Sequence, residues 1–445
     1  MRLTRRSFIK AGGAALLAAS AVPRRGWAAA GDYPPKRDLT GELSVWDWSA
    51  APDNYGVAQQ QAFYHWFPEQ HPKMKFRMTM YGYTDYLPKL EVSFRGGGAP
   101  DVVRVAIAWS SEFIASGVLR PIDLKQLGIP ASNFWPQAIQ SNQNPADPSG
   151  ALYGIPSNNE AMMLVWNKGL FRGAGLDPDK APATWDDVAS YSKRIHDKTG
   201  MSGFGLVAKL NTGNTPFRFA PVMWAYGGSI FDELTAHPTW KEIRIDSQGT
   251  VAALQLYDRM YNIDKSVESS ALDNTQADVA TLFLAGKVAM MICHPSDAAQ
   301  AHQLNPKIEL AAGLLPTGPA RRAVVFGGSN FHINKNSQNI DQAYEFLRSY
   351  ESPNWNARLA GLGSNPANRA ANDAPAQIER NKLLLFNDVT IEMVKYGVNV
   401  PLVSAGAHIW NETIPTMIQK VLLKQASAQE AASAAAADVR QAMHA

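Results

Sequence analysis

The chain has 445 residues, 46% of them hydrophobic, and a single cysteine, Cys293; an intramolecular disulfide and a cysteine-held metal cluster are therefore excluded, and an apolar core must do the stabilising. Its 42 basic and 39 acidic residues give a net +3, but residues 1–30 hold six of the basic ones (Arg2, Arg5, Arg6, Lys10, Arg24, Arg25) and no acidic one, which leaves 36 against 39 and a net −3. A slightly acidic body argues against nucleic acid as a partner, which needs a clustered basic surface.

In chain order, Thr4-Arg5-Arg6-Ser7-Phe8-Ile9-Lys10 resembles the twin-arginine export consensus. A Gly/Ala-rich run follows, too short to anchor in a bilayer, and Ala28-Ala29-Ala30 offers a small-residue site. The expectation is a cleaved twin-arginine signal over residues 1–30, with cleavage after Ala30. No lipid-modifiable cysteine lies near it, so the product is expected free in a periplasm. Residues 32–38, with two prolines and mixed charge, suggest a flexible lead-in.

Residues 42–48 alternate like a first strand, 57–68 carry a helical pattern, 75–80 alternate again, and 85–95 space Tyr86, Leu87, Leu90 and Phe94 for a helix. Gly96-Gly97-Gly98-Ala99-Pro100 breaks into a third strand. This strand-helix alternation predicts an α/β lobe. Further on, Thr184-Trp185-Asp186-Asp187 is a helix start with a capping pattern, and 203–207 and 288–293 read as strands. Helices are expected over 250–261, 278–285 and 427–443, and a strand over 323–326.

Several separated motifs then come in a telling order. They are Trp46-Asp47-Trp48, Ala99-Pro100-Asp101-Val102-Val103, Ser116-Gly117-Val118-Leu119, the stretch Tyr153-Gly-Ile-Pro-Ser-Asn-Asn-Glu160 running on to Asn167-Lys168, Thr184-Trp185, Trp224 to Gly228, Phe283-Leu-Ala-Gly-Lys-Val-Ala-Met290, and Ala343-Tyr-Glu-Phe-Leu347. In this order the chain resembles extracellular solute-binding proteins of ABC importers, of the carbohydrate, maltose-binding-protein-like type. The resemblance implies a two-lobed α/β periplasmic-binding-protein fold with a multi-strand hinge. It implies crossings near 155–160, 327–330 and 365–371, an amino-terminal lobe of 31–157 with 329–368, and a carboxy-terminal lobe of 158–328 with 369–445. A hinge of several strands permits bending while suppressing other relative motions.

A sugar or polyol needs aromatic faces for its C–H side and paired donors and acceptors for its hydroxyls. Loop ends after the early strands supply Trp48, Asp53, Tyr55, Tyr81, Tyr83 and Trp109. The crossover supplies Asn158, Asn159 and Glu160; the last resembles a sugar-binding glutamate of the family, while the asparagines are equally ordinary turn residues. Phe217, Trp224 and Gly227-Gly228 match a segment where relatives present an aromatic wall, although Phe217, Ala220 and Trp224 also form a helical stripe that a core would use. Ser296 stands where relatives commonly carry tryptophan, and with Asp297 it offers hydrogen bonds, or a helix cap, in place of a stacking ring. This favours a small or polar solute over a long oligosaccharide. Gly327, Gly328 and Asn330 are expected to line the cleft from the second crossover. Arg358, Asn365 and His408-Ile409-Trp410 are weaker candidates.

No Gly-x-Gly-x-x-Gly after a strand, His-Glu-x-x-His or Cys-x-x-Cys-His occurs in the sequence, so no cofactor and no metal are expected. A periplasmic glycoside hydrolase would need two carboxylates about 5 to 10 Å apart. Asp47, Asp53, Glu160 and Asp297 are the candidates for that pair. An adhesion module docking through the Ala-rich tail is a third reading. The sequence favours a monomeric receptor, not an enzyme, that captures a small polyhydroxylated solute and delivers it to an inner-membrane ABC permease.

Overall fold

The computed structural model describes residues 32–36, 38–49, 57–144, 147, 149–210, 213–232, 241–360, 364–374, 376–377 and 385–444. The export signal, its cleavage site, Asp53 and Tyr55 lie outside the described residues, as does the side chain of Tyr83. Among the described residues no helix is long and apolar enough to cross a membrane.

The strands are, in chain order, β1 (Gly41–Asp47), β2 (Met74–Met80), β3 (Val102–Ala106), β4 (Leu119–Arg120), β5 (Ile155–Glu160), β6 (Met163–Asn167), β7 (Ser202–Phe204), β8 (Val288–Cys293), β9 (Leu310–Gly313), β10 (Val324–Asn334), β11 (Asn365–Pro366) and β12 (Gly397–Asn399). One sheet runs β11-β5-β10-β3-β1-β2, with β4 and β12 also paired to β10; a second runs β7-β8-β6-β9. Parallel pairs β1/β2 and β1/β3 require crossovers, which the helices Val57–Gln70 and Tyr83–Arg95 provide. The all-buried β3 is apolar apart from Arg104, as befits a central strand covered on both faces. Thr184 and Asp187 close the expected capping box of the Trp185–Thr199 helix.

Each sheet has its own core. Around the first, Phe63 meets Phe346 at 5.7 Å, Tyr350 at 5.3 Å and Trp355 at 5.2 Å between ring centroids, all edge to face. Around the second, Trp166, Phe171, Trp185, Phe219, Trp224 and Tyr257 are buried together. Each such side chain contributes on the order of 1.5–3 kcal/mol through burial. The result is the expected two-lobed α/β fold. Strand β10 feeds both cores: Val324, Val325 and Phe326 belong to the second, Phe331 and Ile333 to the first.

Three local expectations are corrected. Residues 327–330, expected as the second crossing after a strand over 323–326, continue that strand, and Gly328 (φ +126°) and a bulge between Ser329 and Asn330 bend β10 without ending it. A Cβ at Gly328 would collide with the Asn158 carbonyl oxygen, so only glycine fits. The lead-in is docked: Tyr33 N–H donates to Ser352 Oγ (3.0 Å), Lys36 N–H to Glu345 Oε1 (2.8 Å), and Arg348 Nη1 to the Pro34 carbonyl (2.8 Å). The helix expected over 250–261 runs Gln248–Asp258 and widens into a π turn at Arg259–Ile263.

Candidate functional site

Strands β5, β10 and β11 lie side by side where the lobes join, with Glu160 opposite Gly327, Asn159 opposite Gly328 and Asn365, and Asn158 opposite Ser329. Past Glu160 the chain enters β6, whose Met163 faces Cys293 of β8. That pairing carries the start of the Pro295–Leu304 helix to the same junction. Phe217 reaches it from the Asn214–Ala225 helix. A Cβ at Gly327 would lie 3.2 Å from Glu160 Oε2 and 3.3 Å from Phe217 Cε1. Glycine thus lets a carboxylate and an aromatic face converge. Phe217 is half-buried and packs edge-on against Trp410, with centroids 5.6 Å apart. Trp410 Nε1 is buried there without a protein partner. The half-buried Glu160 carboxylate accepts one hydrogen bond, from Asn158 Nδ2 at 3.4 Å, and keeps capacity for a ligand's hydroxyls.

Asn158 and Asn330, expected to face a solute, are instead committed to protein. Asn158 Oδ1 accepts from Arg104 Nη2 (3.0 Å), Ser329 N (3.1 Å) and Ser329 Oγ (2.5 Å). Asn330 donates to Ser110 Oγ (3.0 Å) and accepts from Asn142 Nδ2 (2.9 Å), fully buried. Arg104 is the centre of this network. Its Nε donates to Ser329 Oγ at 2.7 Å, and its Nη1 to Ser49 Oγ at 2.5 Å, the Tyr350 hydroxyl at 3.0 Å and Asp47 Oδ2 at 3.4 Å. Burial works against its charge, but Tyr350, Asp47 and Tyr64 outweigh that and leave its pKa raised. Trp48, half-buried, lies over the same guanidinium at 5.4 Å. Asn159 donates to the Pro366 carbonyl at 3.2 Å, while its Oδ1 is buried without a partner.

Trp224, Trp109 and Gly227 also sit differently from expectation. Trp224 is fully buried in the second core, the stripe it shares with Ala220 having turned inward. Trp109 is buried with Tyr86 and Phe113. Gly227, at φ +83°, ends the Asn214–Ala225 helix, where its N–H donates to the Trp224 carbonyl and is taken up by the turn. Asp297 acts as a helix cap: its Oδ2 accepts from His294 N–H (3.0 Å) and Gln276 Nε2 (2.9 Å). Ser296 beside it is half-exposed.

Arg218, one residue beyond Phe217, went unread in the sequence, although it is the only charge in its helix. It is 5% exposed, donates from Nη1 to the Asn214 carbonyl (3.3 Å) and Asn214 Oδ1 (3.2 Å), and leaves Nε buried without a partner. Burial pushes its pKa down to about 10, against opposing pulls from Asp297, Cys293 and Tyr257. No group of three or more His, Cys, Asp or Glu suited to a metal occurs among the described residues.

Residues 51–357 match the family of bacterial extracellular solute-binding proteins. A Brucella abortus (strain 2308) protein whose name describes it only as a binding protein is 25% identical over 319 residues, 71% of this chain and 73% of the relative. The GacH receptor of Streptomyces glaucescens GLA.O, solved unliganded and with acarbose, superposes with TM-score 0.75 at 23% identity, over 92% of this chain and 99% of that one. UgpB from Mycobacterium tuberculosis, solved with glycerophosphocholine, gives TM-score 0.74 at 18% identity, over 91% and 99%.

Proposed function

The chain belongs to the bacterial extracellular solute-binding proteins, and on that premise we propose that it is the receptor of an ABC importer for a small sugar, polyol or sugar derivative. The observation that carries this reading is the meeting of the Glu160 carboxylate and the Phe217 ring across Gly327, on the strands that join the lobes. A carboxylate with spare acceptor capacity beside an aromatic face suits a molecule with hydroxyls on one side and C–H groups on the other. Structures of similar fold were solved with acarbose, an oligosaccharide-like molecule, and with glycerophosphocholine, a glycerol phosphodiester.

The lobes in this reading are residues 31–157 with 329–368 and 158–328 with 369–445. The ligand contacts both and shifts an open-closed equilibrium. The contact set in this reading is Glu160, Phe217 and Gly327, with Trp410 against Phe217 and with Trp48 and Ser296 as further members. The receptor is a monomer, exported with a cleaved twin-arginine signal into a periplasm. Delivery to an inner-membrane permease completes the cycle. Hydrolysis by a carboxylate pair has less support: Asp47 is buried against Arg104 and Tyr64, and Asp297 is held as a cap.

Thermal-shift screening of sugars, alditols and their anionic derivatives tests the reading. A ligand at a hundred times its dissociation constant should add about 2.7 kcal/mol to the native state. Glu160→Gln should weaken binding about tenfold or more while leaving the unliganded melting temperature in place. Unchanged affinity in that variant, or turnover of a glycoside by the wild type, would defeat it.

A further inference from the structure

We propose that the carboxy-terminal wall of the junction holds an anionic group of the solute, a phosphate monoester or a carboxylate, between the Arg218 guanidinium and the first turn of the Pro295–Leu304 helix. The inference rests on the receptor reading above and names the chemistry of its ligand. Arg218 is buried, yet among the described residues it forms no ion pair, and its Nε has no partner. A desolvated guanidinium with open donors is costly in an empty site and fits a planar, two-pronged acceptor. Asn214, its protein partner, is neutral and engages Nη1 alone.

The helix supplies the second half. Its ten residues begin with Pro295, which has no N–H, and the Asp297 and Ala298 amides turn back to the His294 carbonyl. The Ser296 amide and its half-exposed hydroxyl are left for a ligand, at the positive end of the helix. His294 Nδ1 is buried there without a partner. Asp297 is the charge that acts on Arg218, but its carboxylate oxygen is taken by His294 N–H and Gln276, and it does not close an ion pair with the guanidinium.

Position ties this wall to the rest of the site. The charges that act on Arg218 include Cys293 and Asp297, at the β8 end that leads into the helix, and Cys293 pairs with Met163, three residues past Glu160. The Glu160 carboxylate keeps acceptor capacity for hydroxyls, and the buried Arg218 guanidinium keeps a donor for an anion. The matching ligand is a polyol bearing one negative group.

Titration calorimetry with matched probes decides the point: glycerol against glycerol 3-phosphate, and glucose against glucose 6-phosphate and gluconate. In at least one pair the anionic member should bind about tenfold tighter or more, the phosphate and carboxylate arms telling the two sources apart. Arg218→Gln should cut affinity for that anion about 10- to 100-fold and bring the pair near parity, Arg218→Lys should recover part of the loss, and Arg440→Gln, on the exposed tail, should change nothing. Neutral members binding as tightly as anionic ones in the wild type would overturn the proposal and leave the receptor reading intact, and so would an undiminished preference in Arg218→Gln. Failure of every sugar and polyol, charged or neutral, would remove the receptor reading and this one with it. The wild-type comparison stands even if the Gln variant does not fold.

Discussion

Arg104 and Arg218 are both buried arginines near the lobe junction, one on the central strand of the first sheet and one on a helix over the second core, and their surroundings are opposite. Every nitrogen of the Arg104 guanidinium has an oxygen partner, and Asp47 supplies a counter-charge at 3.4 Å. Arg218 has a neutral neighbour on one nitrogen and an empty Nε. The same burial therefore leaves one pKa above the ordinary value and pulls the other down to about 10. A fully partnered buried cation is scaffold, because removing it strands its partners. An under-partnered one is tolerated where something else can supply the missing acceptor.

The largest expected effect tests the scaffold side. Arg104→Gln should lower unfolding stability by about 3–5 kcal/mol in a urea titration, since Asp47 would be left buried without its cation; a loss below about 1 kcal/mol would erase the contrast. Gly328→Ala acts on the same strands and should cost about 2–3 kcal/mol through backbone strain and collision with the Asn158 carbonyl. Glu268 sharpens the other side. Burial raises its carboxyl to about 7, only partly offset by hydrogen bonds from Asn274 and the Leu206 amide, and its Oε2 is unpartnered. Because the folded pKa lies above the unfolded one, its stabilising contribution is complete below about 4.5 and is lost as pH rises past about 7. Glu268→Gln should therefore gain about 2 kcal/mol over the wild type at pH 8 and nothing at pH 4. The smallest effect completes the comparison: Arg218→Gln without ligand should change stability by less than about 1 kcal/mol.

Strands and helices with strong periodicity were legible in the sequence: β1, β2, β8 and the capped Trp185–Thr199 helix lie within a residue or so of where the pattern put them. Residue types around the junction were legible too, but their directions were not. Asn158 and Asn330 carry the polar chemistry expected of a cleft, yet Asn158 turns toward Arg104 and Ser329 and Asn330 toward Ser110, partners far away along the chain. The Phe217-Ala220-Trp224 stripe had two faces to choose from, and packing against the second core claimed Trp224 while Phe217 remained at the junction. Arg218 escaped notice because its significance lies in what does not bond to it, which no local pattern records. The docking of Tyr33 and Lys36 on residues near 350 is equally invisible to periodicity.

Strand β10 is hydrogen-bonded to β12 at Val324–Phe326 and to β3 at Ser329–Ile333, and its side chains enter both cores. Neither half can melt without stripping partners from the other. Calorimetry of the unliganded protein should accordingly give one endotherm with equal calorimetric and van't Hoff enthalpies, and amide exchange along this strand should be slowed to the rate of global opening.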